Sequence, residues 1–396
     1  MLTLDEALLR IRDGLSALPY ETVPVGEAGG RYLAAPVVAA RTQPPFDASA
    51  MDGYAVRSAD LTGASVTLRL AGESAAGHAS KTMLEAGEAF RISTGAPMPA
   101  GADQVVIQEN CARQDGQITT GQPGQPGAHI RRAGIDFTRG DRLLDAGQRI
   151  SATAISLAAS AGLADLTAIR QPRVGILSTG DELVEAGETA RPDQIINSLA
   201  PGIARLVTEW GGLPRYLGIA RDTPEDVRAG LAHTRDLDLL VTIGGASVGD
   251  HDHLRSVFAE LGGTLVFEKI AIKPGKPTWF GHLDATPVIG LPGNPVSAMV
   301  MARLCLKPVL DSLLGVHDPA IFRTARLNAA LPANGPRETM MRARIDPETG
   351  RIGPLVNQDS SALSALAASN ALIRRPANAG AAKAGDTVEY LPLGPE

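Results

Sequence analysis

Arg173-Val174-Gly175-Ile176-Leu177-Ser178-Thr179-Gly180-Asp181-Glu182-Leu183 is the stretch whose reading decides the fold. The part from Arg173 to Ser178 is a short apolar run that ends at a glycine among polar residues, the pattern of a buried strand running into a turn. Three runs of the same kind follow, at Asp238–Ile243, Thr264–Glu268 and Pro287–Leu291. Between them lie faces with helical spacing, first Ile203, Leu206, Val207 and Trp210, then Leu254, Val257, Phe258 and Leu261. Strands alternating with helices of this length imply a three-layer α/β/α unit around a mostly parallel sheet. Such sheets bind ligands beyond the carboxyl ends of their strands. The unusual loops of this chain fall at those ends.

Outward from this unit the texture changes. Leu4, Leu8, Ile11 and Leu15 share one face of an N-terminal helix and are interrupted by acids, which excludes a signal peptide. From about 41 to 140, Pro44-Pro45, frequent glycines and short alternating runs (Ser65–Leu70, Gln104–Gln108) predict a β-rich unit, with a turn-rich loop at 121–127. Residues 150–163 read as a helix with Ser151 as its N-cap. Alternating pieces from about 320 to 396 predict a small all-β unit. A chain of 396 residues has room for roughly two to four domains. The charged fraction of 20% and apolar fraction of 44% exclude wholesale disorder. A net charge of −6 argues against general nucleic-acid binding, so any phosphate site is built locally. No apolar run is long enough to span a bilayer, and the cytoplasm is the expected compartment. Cys111 and Cys305 are too few for a disulfide framework or a cysteine metal site.

Four loops at strand ends carry candidate chemistry. In Ser178–Leu183, Gly180 lets backbone N–H groups approach a ligand, and Asp181 and Glu182 could hold a metal or take a proton; the plain alternative is a tight turn whose acids cap the next helix. Gly244, Gly245 and Gly249, directly after a buried strand, suit an anion nest, with Ser247 as a further donor. In the same loop Asp250 and Asp252 offer hard oxygens of the kind magnesium prefers beside phosphates. His251 and His253 do not have zinc spacing, and the acids could merely cap the helix before Leu254. Lys269, Lys273 and Lys276 lie in a Pro/Gly-constrained segment. If 269–273 is extended, Lys269 and Lys273 share a face; the three lysines together look like a phosphate or oxyanion clamp, and the alternative is a solvated edge. In Gly290–Ser297, Asn294 reads as an N-cap and Pro295 as the first helical residue, leaving free N–H groups that attract an anion. Apart from these stands Phe46–Ala55, with Asp47 and Asp52 among small residues, where a turn and a functional loop are both open.

Taken in order, SAMDGYA, RISTGAP, STGDEL, GGASVGDHD, IAIKPGKP and GLPGNP resemble the molybdopterin molybdenumtransferase family of molybdenum-cofactor synthesis, over nearly the whole chain. The 171–310 unit is also similar to stand-alone molybdopterin adenylyltransferase. The resemblance implies four domains: a discontinuous helical one joining 1–40 to 141–170, a β-rich one at 41–140, the α/β molybdopterin-binding one at 171–316, and a β-barrel-like one at 320–396. It implies a homodimer whose site lies between the α/β domain of one subunit and the second domain of the other. Adenylylated molybdopterin and molybdate are the implied substrates and Mg2+ the implied cofactor, with AMP released as molybdenum is inserted. Adenylyl transfer to molybdopterin, or a non-catalytic scaffold, are the alternatives. The adenylyltransferase and molybdoenzyme maturation proteins are the implied partners.

Matched motif by motif, the family's functional positions fall on Asp52, Thr94 and Asp136 in the second domain. They fall on Glu182, Asp222, Asp252, Lys269, Lys273, Pro292 and Pro295 in the α/β domain, and on Arg342 and Ser360 near the C-terminus. By this resemblance Lys269 and Lys273 are assigned to oxyanion or phosphate binding, Asp52, Glu182 and Asp252 to cation binding or water activation, and Asp250 to the cation. Gly244, Gly245, Ser247, Gly249, Gly293 and Asn294 complete the expected ligand contacts. Asp222 could instead cap the helix near Pro224, and Asp136 could pair with Arg131 or Arg132. Leu199 departs from the family pattern, which usually has a second Asn there.

Overall fold

The computed structural model describes residues 1–232, 236–245, 253–316 and 322–394. Its first helix, α1 (Leu4–Asp13), starts at a capping box: Glu6 N–H donates to Thr3 Oγ1 (3.2 Å) and Thr3 N–H to Glu6 Oε2 (2.8 Å). Strands β1 (Tyr20–Pro24) and β2 (Val37–Val38) lead away from it. Next come β3 (Ala48–Ser49), β4 (Gly53–Val56), β5 (Val66–Ser74), β6 (Glu88–Ile92), β7 (Gln104–Ile107), β8 (Cys111–Gln114), β9 (Gln117–Thr120) and β10 (Ile130–Arg131). The chain returns through β11 (Arg142–Leu144), α2 (Ala152–Ser160) and β12 (Asp165–Ile169). A six-stranded sheet in the order β7-β4-β6-β5-β9-β8 forms the β-rich unit, with small apolar clusters around Tyr54, Leu68 and Ile118 and around Phe90, Ile92 and Val105.

The expectation of a helical unit over 1–40 and 141–170 is corrected here. Ladders β1–β12 and β2–β11, both antiparallel, join the two segments, and α2 is the helix between them, capped by Ser151 as expected. Leu33, Val37, Ile150, Ala158 and Leu166 form its core. Helix α1 packs elsewhere. Its Leu4, Ala7 and Ile11 are wholly buried in the core of the α/β unit, because its apolar stripe finds a larger hydrophobic surface there.

That unit runs through β13 (Arg173–Thr179), β14 (Leu183–Val184), β15 (Ile195–Ile196), α3 (Leu199–Glu209), β16 (Leu213–Ala220), α4 (Pro224–Leu231) and β17 (Leu239–Ile243). It continues with α5 (His253–Glu260), β18 (Thr264–Phe267), β19 (Ile272–Lys273), β20 (Trp279–Leu283), β21 (Thr286–Leu291), α6 (Pro295–Met301) and α7 (Lys307–Leu313). The main sheet has the order β16-β13-β17-β21-β20-β18; its first four strands are mutually parallel and β20 is reversed. Side chains of β13 alternate between two cores, as a strand buried on both faces requires. Val174 and Ile176 join α3, α6 and α7, whereas Leu177 faces α4 and α5. A π turn at Ala302–Leu306 joins α6 to α7, next to Pro308, which has no N–H to continue the α-helical ladder.

The last unit comprises β22 (Arg323–Arg326), β23 (Glu338–Ile345), β24 (Ile352–Pro354), α8 (Leu363–Ala367), β25 (Ala371–Arg375) and β26 (Thr387–Pro392). Its sheet runs β19-β23-β25-β26-β22, with β24 on β23, and a Leu327–Ile352 bridge brings the ends together around a core of Leu327, Ile352, Ile373 and Tyr390. Strand β19 thus belongs to this sheet although its sequence lies inside the α/β unit.

Candidate active site

A cleft of about 930 Å3 opens at the carboxyl ends of β13, β17 and β21. After β13 the chain first adds β16 on one side, then β17 on the other, so the strand order reverses between β13 and β17. Loops leaving such a point diverge and leave a crevice. Thr179 and Gly180 line it from β13, Gly244 and Gly245 from β17, and Pro292, Gly293 and Asn294 from β21. The strand ends approach so closely that only glycine fits at 244: a Cβ there would stand 2.6 Å from the Thr179 carbonyl oxygen, and φ is +91°.

One wall of the cleft is acidic. Glu182 and Asp222 line it, and the Glu182 carboxylate folds back over Gly180. Asp181 and Asp222 hold each other's loops: Asp222 N–H donates to Asp181 Oδ1 (3.2 Å) and Asp181 N–H to Asp222 Oδ2 (3.4 Å). The helix that follows is capped by Thr223, whose hydroxyl accepts from Asp226 N–H, so Asp222 does not cap it. Nor do the acids of Ser178–Leu183 cap a helix, because β14 follows them. Segment 183–198 continues this wall through Leu183, Ile195, Ile196, Asn197 and Ser198. Leu199, where the family pattern has Asn, lines the cleft yet is only 6% exposed, its side chain taken into the core under α3.

Basic residues line the cleft as well. Lys269 and Lys276 line the cleft; Lys273 is exposed but does not. Ile270 and Ile272 are buried between the lysines, so Lys269 and Lys273 both point away from the core. The backbone is not regularly extended, since Ile272 N–H donates back to the Ile270 carbonyl. The Pro-Gly turn therefore brings Lys276, not Lys273, beside Lys269.

The C-terminal unit covers part of the rim. Asn294 stands at the N-cap of α6, but its side chain makes no cap bond and donates instead to Ser360 Oγ (3.3 Å). The Ser360 carbonyl accepts from Val296 N–H (3.1 Å), and Pro295 has no N–H, so the expected free donors at this helix start are largely taken. Ser361 lines the cleft. Arg342, expected to touch ligand, is 1% exposed. Its Nε donates to the Asn357 carbonyl (3.2 Å) and its N–H to Gln358 Oε1 (2.9 Å), so it braces the 357–361 loop from beneath. Burial pushes its guanidinium down and Asp359 opposes this.

A second cluster lies in the β-rich unit. Thr94 N–H donates to Asp52 Oδ1 (2.7 Å), and that N–H and the Thr94 hydroxyl hold the Asp52 carboxyl below the usual carboxylate range. Asp52 and Thr94 are both exposed, as a ligand-binding pair must be. Arg132 pairs with Asp47 (2.5 Å) rather than with Asp136, and Asp136 is exposed, its N–H donating to the Gln43 carbonyl (3.2 Å). Asp47 thereby has a structural part, since it also accepts from Ala133 N–H (2.8 Å). Within one chain neither Asp52, Thr94 nor Asp136 lines the cleft.

Of the expected site residues, Ser247, Gly249, Asp250 and Asp252 lie outside the described residues. Among the described residues no group of three or more His, Cys, Asp and Glu side chains converges as a self-sufficient metal site. Two cleft carboxylates, Glu182 and Asp222, do match magnesium, which typically takes one or two carboxylates and fills its remaining positions with phosphate oxygens and water. Of the expected cation ligands, Glu182 lines the cleft and Asp52 of the same chain does not, while Asp250 and Asp252 lie outside the described residues. Lys276, the third lysine of the expected clamp, lines the cleft, and so do Thr179, Asn197 and Ser361, which were not singled out as ligand residues. Thr179 also carried a signal, as part of the STGDEL motif.

Residues 2–162 match the family described as MoeA N-terminal region (domain I and II), 175–312 the probable molybdopterin binding domain, and 324–393 the MoeA C-terminal region (domain IV). The chain is 36% identical to the molybdopterin molybdenumtransferase of Haemophilus influenzae, over 99% of both sequences. It is 32% identical to that of Bacillus subtilis, over 98% of this chain and 93% of the other. It is similar to two solved structures of the MoeA molybdopterin biosynthesis protein from Pyrococcus horikoshii. Identities are 30% and 27%, TM-scores 0.83 and 0.84, and each comparison covers at least 99% of both chains.

Proposed function

The chain belongs to the molybdopterin molybdenumtransferase family and is a transferase of molybdenum cofactor biosynthesis; from that premise we propose that it inserts molybdenum from molybdate into adenylylated molybdopterin with release of AMP. The observation that carries this reading is the cleft at the sheet's switch point, lined by both Lys269 and Lys276 and by Glu182 and Asp222. A doubly anionic ligand, pyrophosphate-linked and approached by an oxyanion, needs both signs of charge at close quarters.

In this reading Lys269 and Lys276 hold phosphate or molybdate oxygens, and the glycine-lined strand ends let backbone N–H groups reach the same oxygens. Glu182 and Asp222 hold the magnesium ion, which when bound neutralises phosphate charge. The protein adds no sulfur ligand: Cys305 is buried and Cys111 lies in the β-rich sheet, so the thiolates that receive molybdenum come from the pterin. Asp52, Thr94 and Asp136 complete the site from a second subunit of a homodimer. Support for that is the pairing of Asp52 with Thr94 on an exposed face that does not line its own chain's cleft.

Purified protein should release AMP from adenylylated molybdopterin when molybdate and Mg2+ are both supplied, and lose most of that release when either is omitted. AMP release that ignores molybdate, or ATP-dependent adenylylation of molybdopterin by this chain alone, would overturn the assignment.

A further inference from the structure

Between β14 and β15 the chain makes a long excursion, from Leu183 out to exposed turns at 185–194 and back to Ser198, and both of its feet line the cleft. Backbone bonds join the feet to one another: Ile195 N–H donates to the Glu182 carbonyl and Asn197 N–H to the Val184 carbonyl, each at 2.8 Å. Arg221, just after β16, donates to the Asp181 (3.0 Å) and Leu183 (3.5 Å) carbonyls at the outgoing foot, and a chain of side chains joins both feet to the sheet. The Ser178 hydroxyl, on β13, donates to Asn197 Oδ1 (3.1 Å); Asn197 Nδ2 donates to the Tyr216 hydroxyl (2.8 Å); and Tyr216, on β16, donates to Glu185. Ser178 is fully buried and Asn197 is 3% exposed, whereas Tyr216 is 42% exposed and does not touch the cleft.

We propose that Tyr216 is a positioning residue of the cleft: its one hydroxyl ties the outgoing foot, at Glu185, and the returning foot, at Asn197, to the parallel sheet, and so fixes the wall against which the nucleotide-bearing ligand closes. Without that hydroxyl the Asn197 amide keeps Ser178 but loses its donor's partner in a buried place, and Glu185 is released to solvent. Bonds in series polarise one another, so removing the middle member weakens both ends. The bond to Glu185 depends on the phenol keeping its proton. Burial and the Glu185 carboxylate push its pKa up, so it does. The position of the wall is a property of this chain alone; only the identity of the ligand rests on the molybdenum-insertion reading.

The test compares the full-length protein with Tyr216→Phe, Glu185→Ala and Glu185→Gln by amide hydrogen exchange, calorimetric titration with AMP, and AMP-release kinetics. In Tyr216→Phe the Ile195 and Asn197 amides should exchange about tenfold faster while β13 and β17 amides stay as they were. The Kd for AMP and the KM for adenylylated molybdopterin should rise about tenfold, with kcat within about twofold. Glu185→Gln keeps an acceptor for the phenol and should behave as the unaltered protein, and Glu185→Ala should fall between. Unchanged exchange at 195 and 197 overturns the proposal, as does faster exchange spread evenly over the sheet, which marks general destabilisation. Faster exchange with unchanged Kd and KM also overturns it, because the wall then does not set affinity. Failure of the unaltered protein to bind AMP counts against the molybdenum-insertion reading, while the exchange pattern still decides the role of Tyr216.

Discussion

Replacing Gly244 by alanine tests whether the close approach of β13 and β17 builds the cleft. Two costs add. Alanine at φ +91° is strained, by about 1–3 kcal/mol for a residue held in a sparsely populated region. The new Cβ would also stand 2.6 Å from the Thr179 carbonyl oxygen and 2.9 Å from its hydroxyl, both anchored in a buried strand. Relieving that overlap forces the strand ends apart, at about 1–3 kcal/mol more. Gly187→Ala supplies the control: its φ is +97°, but a Cβ there meets nothing within 4 Å, so it carries the strain without the overlap. Urea unfolding followed by tryptophan fluorescence reads the right unit, since Trp210 and Trp279 are both buried in the α/β cores. Gly244→Ala should lower the unfolding free energy by about 1–3 kcal/mol beyond Gly187→Ala and weaken AMP binding at least tenfold, because the crevice widens at its floor. Equal midpoints for the two variants, with unchanged AMP affinity, would refute the argument from close approach.

Further expectations concern assembly, pH and capping. If Asp52 and Glu182 meet across a dimer, Asp52→Ala and Glu182→Ala proteins should each be inactive, yet regain about a quarter of normal turnover after being unfolded and refolded together, since half the dimers then carry one intact site; no recovery places the site within one chain. Asp238 is half-buried; burial raises its carboxyl pKa, but hydrogen bonds from Arg170 (2.7 and 2.8 Å) and from Arg173 N–H (2.7 Å) outweigh this and hold it below the ordinary value. A depressed folded-state pKa stabilises fully above the unfolded value near about 4 and loses that contribution as pH falls further. The urea midpoint should therefore drop more steeply below about pH 4 than in Asp238→Asn, and parallel curves would contradict the assignment. Asn294→Ala should cost less than about 0.5 kcal/mol, not the roughly 1 kcal/mol of a lost side-chain cap, because that side chain bonds Ser360 instead; thermal unfolding decides.

The strands that sequence periodicity reveals are those buried on both faces, β13, β17 and β21, whose apolar runs have no other explanation. Edge strand β16 is harder to see, because Leu213, Arg215 and Tyr216 are exposed and its pattern is broken. Reversed strand β20 is hidden for another reason: its hairpin to β21 turns at Asp284 with φ +51°, without the Asn-Gly or Asp-Gly pair that announces such turns. For the site, the glycines and lysines were legible because constrained backbone and clustered charge have few purely structural uses in an acidic chain. Which lysines face the cleft was not, since it depends on how the turn 273–276 folds back. Ser360 and Ser361 reach the rim from a different unit, a placement that no local pattern encodes. Arg342 illustrates the converse, a charged residue that motif matching assigns to ligand but that tertiary packing has buried.

The lysine segment is held at both sides by distant chain. Ala271 N–H donates to the Leu2 carbonyl, and Glu338 N–H donates to the Ala271 carbonyl as β19 joins β23. Such contacts close only at a large loop entropy. During synthesis the parallel sheet and its glycine turns can therefore form while the lysine segment is still unfixed, and the segment settles only after residue 339 has emerged. The acidic side chains of the cleft precede its lysines in time, so a nascent chain bears an incomplete site until its last β unit begins to pair. Affinity for anionic ligand should therefore arise as one of the final events of folding.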